Sequence, residues 1–205
     1  MPLTSLELSV ADAPAVSAPP RERILAVARD LFYRHGIHAV GVDAIAEAAG
    51  TNKMTLYRHF ASKDELVAEC LRRLAAEMDA ARTRIAAAHA GDPLGELFAW
   101  LRFLGEYKTN EAHRGCAFVN TAIELPDRNH PARRVVEDYK RQARERLVTM
   151  CRSASLDDPD LVADEIFLLC EGALVSRQSV GPNGPAARLV EMLQGIVAGH
   201  ACRSA

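Results

Sequence analysis

The sequence predicts an all-α protein, and three observations support that prediction. Apolar residues recur at spacings of three and four along most of the chain, as on one face of a helix. Gly- and Pro-containing breaks, such as "GDP" at 91–93 and "GPNGP" at 181–185, divide this pattern into segments of helical length. Strand-like alternation never extends beyond a few residues.

Composition and charge describe an ordinary globular protein rather than a membrane or disulfide-rich one. The chain has 205 residues and a formal net charge of −2, so we do not expect a molecule coated in nucleic acid or held on an anionic membrane. No apolar run approaches the length of a membrane span. The five cysteines are widely spaced and include no C-x-x-C pair. This usage favours reduced thiols in a cytoplasm over a disulfide scaffold or a zinc cluster.

The N-terminal region combines an arm with three predicted helices. Residues 1–20 are rich in Pro, Ala and Ser and lack both periodicity and the features of a secretory signal, so we expect a flexible arm. Helical spacing of apolar residues predicts a helix over 21–35, which Gly36 would end. Two short helices are predicted over about 42–49 and 53–60, with Gly50 between them.

The rest of the chain is predicted to contain longer helices. "SKDE" at 62–65 has the form of a capping box, in which Ser62 caps the helix and Glu65 reaches back to it. The helix that it opens would continue to about residue 90, where the 91–93 break ends it. Further helices are predicted over 94–108, 116–125, 131–153, 159–178 and 185–200.

The segment 50–66, "GTNKMTLYRHFASKDEL", concentrates groups that suit DNA binding. Between residues 51 and 63 there is no acid, whereas Lys53, Arg58 and Lys63 give a local charge of +3. Two short helices joined by a Gly-containing turn have the layout of a helix-turn-helix. Hydroxyl and ammonium groups can bind phosphate oxygens, and a Thr methyl can contact a thymine methyl. The plainer alternative is a solvated basic face.

A family resemblance favours DNA binding. The run "IAEAAGTNKMTLYRHFASKDEL" at 45–66, within the segment 21–71, resembles the N-terminal domain of the tetracycline-repressor (TetR) family of bacterial regulators. The resemblance implies a helix-turn-helix DNA-binding domain over 21–66 and a ligand-sensing and dimerisation domain over 67–205. It implies a recognition helix at 53–60 and DNA contacts from Asn52, Lys53, Thr55, Tyr57, His59 and Lys63.

The sequence departs from the family pattern at two positions. Gly41 occupies the place where Ser or Thr commonly caps the second helix, which puts one phosphate contact in question. Met54 follows Lys53 where a small residue is frequent. A Met side chain there would either contact a thymine methyl or pack against the protein, and we expect packing.

The resemblance also implies how such a protein works. It would bind a near-palindromic double-stranded DNA operator as a homodimer, most simply as a repressor, and a small-molecule effector would release it. The alternative is a helical adaptor that binds proteins and not DNA. An enzyme is not expected, because G-x-S-x-G, H-E-x-x-H, P-loop and dinucleotide signatures are absent. We expect no cofactor, and no metal, since His113 and Cys116 have no third ligand close in sequence.

Candidate residues for the effector and the dimer come from the second half of the chain. Aromatic bulk beside polar groups at helical spacing is typical of a small-molecule site, although it is also typical of a plain core. The effector candidates are Trp100, Phe103, Tyr107, Phe118, Asn120, Glu124 and Phe167. The helix over 159–178 is apolar around most of its circumference, so it would be buried on more than one side. With the last helix it would contribute half of an intermolecular four-helix bundle, through Phe167, Cys170, Leu174, Leu189, Leu193 and Ile196. The alternative is that both helices are simply core of a monomer.

Overall fold

The computed structural model describes residues 18–109 and 114–201, and over these ranges the chain forms nine α-helices and one short 3-10 helix without any strand. The all-α prediction is therefore confirmed. In chain order the helices are α1 (Pro20–His35), α2 (Val42–Ala48), α3 (Lys53–His59), α4 (Lys63–Ala88), α5 (Pro93–Thr109), α6 (Ala117–Glu124), α7 (Pro131–Ser153), α8 (Pro159–Val180) and α9 (Leu189–Gly199), with the 3-10 helix (Pro185–Arg188) before α9.

Helix boundaries agree closely with the expected ones because local chemistry sets them. At the start of α8, the Asp158 carboxylate accepts a hydrogen bond from the Leu161 amide at 3.4 Å, and Pro159 occupies the first turn. Gly181 ends the same helix with φ of +94°. One prediction differs in detail. The segment predicted as a single helix over 185–200 begins as the separate 3-10 helix before α9.

Contacts divide the described residues into two compact units. The first unit holds residues 18–74 together with 120–135, and the second holds 75–109, 114–119 and 136–201. The boundaries fall inside α4, α6 and α7. Most of the expected N-terminal arm, residues 1–17, lies outside the described residues.

Each unit has its own apolar core. In the first unit, Ile24 of α1, Ile45 of α2, Leu56 of α3 and Leu66 of α4 are fully buried. The second unit buries α5, α8 and α9 against one another, and its fully buried side chains include Leu97, Leu101, Ile166, Leu189 and Leu193. Among the described residues, no helix is both long enough and apolar enough to cross a membrane.

Candidate DNA-binding surface

The turn between α2 and α3 is built by three local features. Gly50 adopts φ of +61°, a left-handed conformation that costs a glycine little. Asn52 caps α3, because its Oδ1 accepts a hydrogen bond from the Thr55 amide at 2.9 Å. The Arg23 guanidinium of α1 donates to the carbonyls of Ala49 at 3.0 Å and Gly50 at 3.3 Å. These bonds hold the turn against α1 and fix the direction in which α3 begins.

The α3 helix presents one face to the core and the other to solvent. Leu56 and Phe60 are buried, as expected from their spacing. Lys53, Tyr57 and His59 are exposed, and Thr55 is half-buried.

Met54 corrects an expectation, since its side chain is 81% exposed and does not pack. The reason is helical geometry: Met54 lies two residues from Leu56, which is about 200° around the helix. Arg58, four residues later, shares the outward face and is also exposed. Arg58 was counted in the local charge but was not predicted to contact DNA. The rule that residues four positions apart share one face of a helix would have identified it.

An acid lies beside the basic surface. The Lys53 ammonium is 3.1 Å from Oδ2 of Asp43 in α2, with side-chain exposures of 50% and 75%. Because both groups are largely solvated, this ion pair contributes little to stability. Asp43 was not part of the charge count over residues 51–63, because it precedes that segment in the sequence. The fold brings it next to Lys53.

The first turn of α4 forms half of the expected capping box. Ser62 Oγ accepts a hydrogen bond from the Glu65 amide at 3.0 Å, as predicted. The Glu65 carboxylate, however, accepts a hydrogen bond from Arg72 at 2.7 Å instead of reaching back to Ser62. Arg72 adds its own positive charge to the bond with the carboxylate, which a backbone amide cannot do. Lys63, the first residue of α4, has its ammonium 5.9 Å from the centre of the Phe32 ring.

The effector candidates fall into both units. Asn120 and Glu124 belong to the first unit, whereas Trp100, Phe103, Tyr107, Phe118 and Phe167 belong to the second. In the second unit, Phe103 lies between Trp100 and Tyr107, with ring centroids 5.3 and 6.1 Å away.

Two further contacts in the second unit were not foreseen. Phe118 stacks on Tyr139 at 3.9 Å between centroids, and burial raises the pKa of the Tyr139 hydroxyl. Lys140 donates to Glu171 at 2.6 Å, with its ammonium 5.7 Å from the Phe167 ring.

Glu124, one of the effector candidates, has its carboxylate hydrogen-bonded to the turn after α1. Its Oε2 accepts hydrogen bonds from the amides of Ile37 at 2.6 Å and His38 at 3.4 Å. Two consecutive backbone amides attract a carboxylate that ends a neighbouring helix. Sequence could not reveal this contact, since the residues are separated by 86 or more positions.

The dimer candidates mostly lie inside the subunit. Cys170, Leu174, Leu189 and Leu193 are all at most 5% exposed, whereas Phe167 and Ile196 are half-buried. The large apolar side chains of α8 that face solvent are others: Leu161, Leu168, Val175 and Val180, with exposures of 47%, 68%, 61% and 65%. Because apolar residues occur on all sides of α8, the sequence does not show which face of the helix is buried within the subunit.

The cysteine and metal expectations concern Cys116 and His113. Cys116 forms no disulfide, is half-buried, and has its Sγ 3.6 Å from the Lys140 ammonium. His113 lies outside the described residues. Within the described part of the chain, no three His, Cys, Asp or Glu residues are grouped as metal ligands would be.

The fold and the surface together define a helix-turn-helix DNA-binding regulator. Two family profiles match the chain: "Bacterial regulatory proteins, tetR family" over residues 24–70 and "Tetracyclin repressor-like, C-terminal domain" over residues 94–193. The chain belongs to the TetR family of bacterial transcriptional regulators. The resemblance over 21–71 is thereby confirmed, and the second profile extends it to the C-terminal half.

Individual relatives agree with this assignment. The chain is 26% identical over 154 residues to the HTH-type transcriptional regulator YjdC of Escherichia coli, covering 75% of this chain and 81% of YjdC. It is 28% identical over 169 residues to the HTH-type transcriptional repressor KstR2 of Mycobacterium tuberculosis, covering 80% and 83% of the two chains. The crystal structure of SCO4454, a TetR-family transcriptional regulator from Streptomyces coelicolor, superposes with a TM-score of 0.82 at 26% identity. That superposition covers 89% of this chain and 96% of SCO4454.

Proposed function

We propose that this TetR-family regulator binds a near-palindromic operator as a homodimer through α3, represses transcription, and leaves the DNA when a small molecule binds its second unit. The observation that carries the proposal is the outward face of α3. Lys53, Met54, Tyr57 and Arg58 are all exposed there, while Leu56 anchors the helix from behind. Lys and Arg suit phosphates and guanine edges, and Tyr suits a phosphate oxygen. Repression is proposed because KstR2, a relative aligned over most of the chain, is named a repressor.

A second copy of the chain is the proposed occupant of the exposed side of α8. Leu161, Leu168 and Val175 follow one another at intervals of seven residues, so they form one apolar stripe on the helix. Gly172 lies within this stripe, and a Cβ added there would meet nothing within 4 Å. Such a site admits close approach of another helix. A near-palindrome presents two equivalent half-sites, which two symmetry-related α3 helices would occupy.

The proposed effector site lies in the second unit, beside the aromatic rings. Trp100, Phe103 and Tyr107 form a ladder along α5. The Lys140–Glu171 ion pair supplies polar groups next to Phe167. An apolar wall with a few polar anchors suits a small organic molecule. Such a molecule shifts DNA affinity only by binding the two conformations of the dimer unequally.

Operator binding tests the proposal. A duplex selected from a random pool by the wild-type protein would serve as the operator. The double variant Lys53→Ala/Tyr57→Ala should bind it at least about 100-fold more weakly, since each base or phosphate contact contributes about 1–3 kcal/mol and the dimer uses it twice. Sedimentation should show an unchanged dimer.

The control is Arg141→Ala, which removes a 63%-exposed cation from α7 in the second unit. It should leave operator affinity within about twofold, because surface substitutions away from special features have small effects. Unchanged affinity of the double variant would exclude α3 as the reading element. Failure of the wild-type protein to enrich any duplex would favour the protein-binding adaptor.

A further inference from the structure

The carboxylate of Glu124, at the last residue of α6, is bound to the turn that joins α1 to α2. Oε2 accepts from the Ile37 amide at 2.6 Å and from the His38 amide at 3.4 Å. The His38 ring also binds Glu124, because its Nε2 lies 2.8 Å from the Glu124 carbonyl oxygen. Because a carbonyl oxygen can only accept, this bond requires the proton on Nε2. We call these three residues the Glu124 clamp.

The turn is shaped to admit this carboxylate. Gly36, which ends α1, has φ of +88°, a conformation that side-chain-bearing residues rarely adopt. A Cβ built on Gly36 would lie 3.1 Å from the Glu124 Oε2. The absence of a side chain at Gly36 therefore permits this positive φ and leaves room for the Glu124 oxygen atoms.

Neighbouring contacts hold Glu124 in position. Arg133 of α7 donates to the carbonyl of Ala122 at 2.7 Å, which fixes the last turn of α6. His130, just before α7, lies with Nε2 3.3 Å from Oδ1 of Asp64 in the first turn of α4. All of these residues belong to the first unit, together with the helix-turn-helix.

The clamped turn leads directly into α2. Gly41 at the start of α2 provides no side-chain hydrogen bond to cap the helix. The position of α2 therefore depends on the preceding turn and on its own core residues, not on a cap. A short uncapped helix of seven residues is marginal by itself. Any loosening of the 36–41 turn would let α2, and α3 after it, change direction.

We propose that Glu124 is a positioning residue for DNA recognition, which holds the α1–α2 turn so that α3 meets the operator at the correct angle. This inference rests on the proposed function. Glu124 is the last residue of α6, which runs from Ala117 to Glu124.

The test compares Glu124→Ala, Glu124→Gln and Ile123→Ala in operator binding and amide hydrogen exchange. Glu124→Ala should weaken operator binding about tenfold and speed exchange at the Ile37 and His38 amides. Glu124→Gln keeps an acceptor oxygen, so its operator affinity and its exchange rates at the Ile37 and His38 amides should be close to those of the wild type. Ile123→Ala truncates the adjacent, 74%-exposed residue of α6 and should change neither.

The salt dependence separates positioning from phosphate binding. Glu124→Ala should leave the slope of log affinity against log salt unchanged, because no phosphate contact is lost, whereas each phosphate contact removed lowers its magnitude by about 0.9. Wild-type operator affinity in Glu124→Ala, or unaltered exchange at both amides, would overturn the role of Glu124 alone. A wild-type protein that binds no selected duplex would overturn the proposed function itself.

Discussion

The Lys53 ammonium lies 3.1 Å from the Asp43 carboxylate, so the first residue of α3 is paired with an acid of the preceding helix on the surface proposed to bind DNA. An approaching phosphate would compete with Asp43 for the same ammonium and would be repelled by the carboxylate. We therefore expect Asp43 to weaken binding to every duplex alike, whatever its sequence, and to leave discrimination to groups that read bases.

Asp43→Asn should raise affinity for the operator and for unrelated duplexes by similar factors. An exposed ion pair contributes about 0.2–1 kcal/mol and the dimer contains it twice, so the expected gain is up to about 30-fold at low salt. Fluorescence anisotropy at several salt concentrations would measure it. Asp138→Asn is the matched control, because it removes the same charge from an exposed pair with Arg141 in the second unit. Equal gains in both variants would indicate an effect of net charge and not of the Lys53–Asp43 pair.

Asn52 allows capping to be separated from DNA contact. Its Oδ1 caps α3 through the Thr55 amide. Asn52→Ala should lower the free energy of unfolding by about 1 kcal/mol, the usual cost of losing an N-cap. Asn52→Asp keeps the cap and should preserve stability, yet its negative charge would repel phosphates and lower operator affinity. Urea unfolding and anisotropy would measure the two effects. An Asp variant that binds DNA like the wild type would place Asn52 outside the interface.

How far the sequence predicts this protein depends on how local each signal is. The inward placement of Leu56 and Phe60 follows from 3.6-residue periodicity, and the Gly50 turn from the freedom of glycine at positive φ. The same periodicity fails on α8, where apolar residues surround the helix. There the buried Leu174 and the exposed Val175 are adjacent and equally apolar, so the sequence does not distinguish the core face from the outer one.

Contacts between separate helices also limited what the sequence could predict. Asp43 meets Lys53 because the consecutive helices α2 and α3 pack together, and Glu124 meets the Ile37 amide although 87 positions separate the two residues. No window of sequence contains both members of the second pair. The sequence therefore offered Glu124 only as a possible ligand anchor and gave no sign of its hydrogen bonds to the Ile37 and His38 amides.

The exposed stripe on α8 predicts the effect of a charge at its centre. Leu168 is 68% exposed within the subunit. Leu168→Glu should convert the dimer to monomers in sedimentation, because a carboxylate buried in an apolar interface without a partner costs several kcal/mol. Operator affinity should fall at least about 100-fold, since each half-site would then be bound separately.

A matched substitution tests whether loss of the dimer depends on the position of the new carboxylate or only on its charge. Ile123→Glu places the same charge on another exposed apolar residue, in α6 of the first unit, and should leave the dimer intact. A Leu168→Glu variant that still sediments as a dimer would show that a different surface joins the subunits.

The cysteines of the described chain should differ sharply in reactivity. Burial raises the pKa of the Cys70 thiol to about 12 and that of Cys151 to about 11, and Cys170 is buried as well. At pH 7.5 the raised values leave Cys70 and Cys151 protonated, and the thiolate is the form that reacts. Cys116 is half-buried and therefore the least buried of these four cysteines, so we expect it to be the most accessible to reagent.

In a Cys202→Ser background, N-ethylmaleimide at pH 7.5 should therefore add once per chain, at Cys116, at least about tenfold faster than at any other site. Peptide mass spectrometry after timed quenching would locate the adduct, and Cys116→Ser should abolish it. Labelling in urea should reach every remaining thiol, because unfolding removes the burial that raises the pKa of Cys70 and Cys151. Labelling of folded Cys70 or Cys151 at the rate of Cys116 would mean that the helices around those thiols open more readily than their burial suggests.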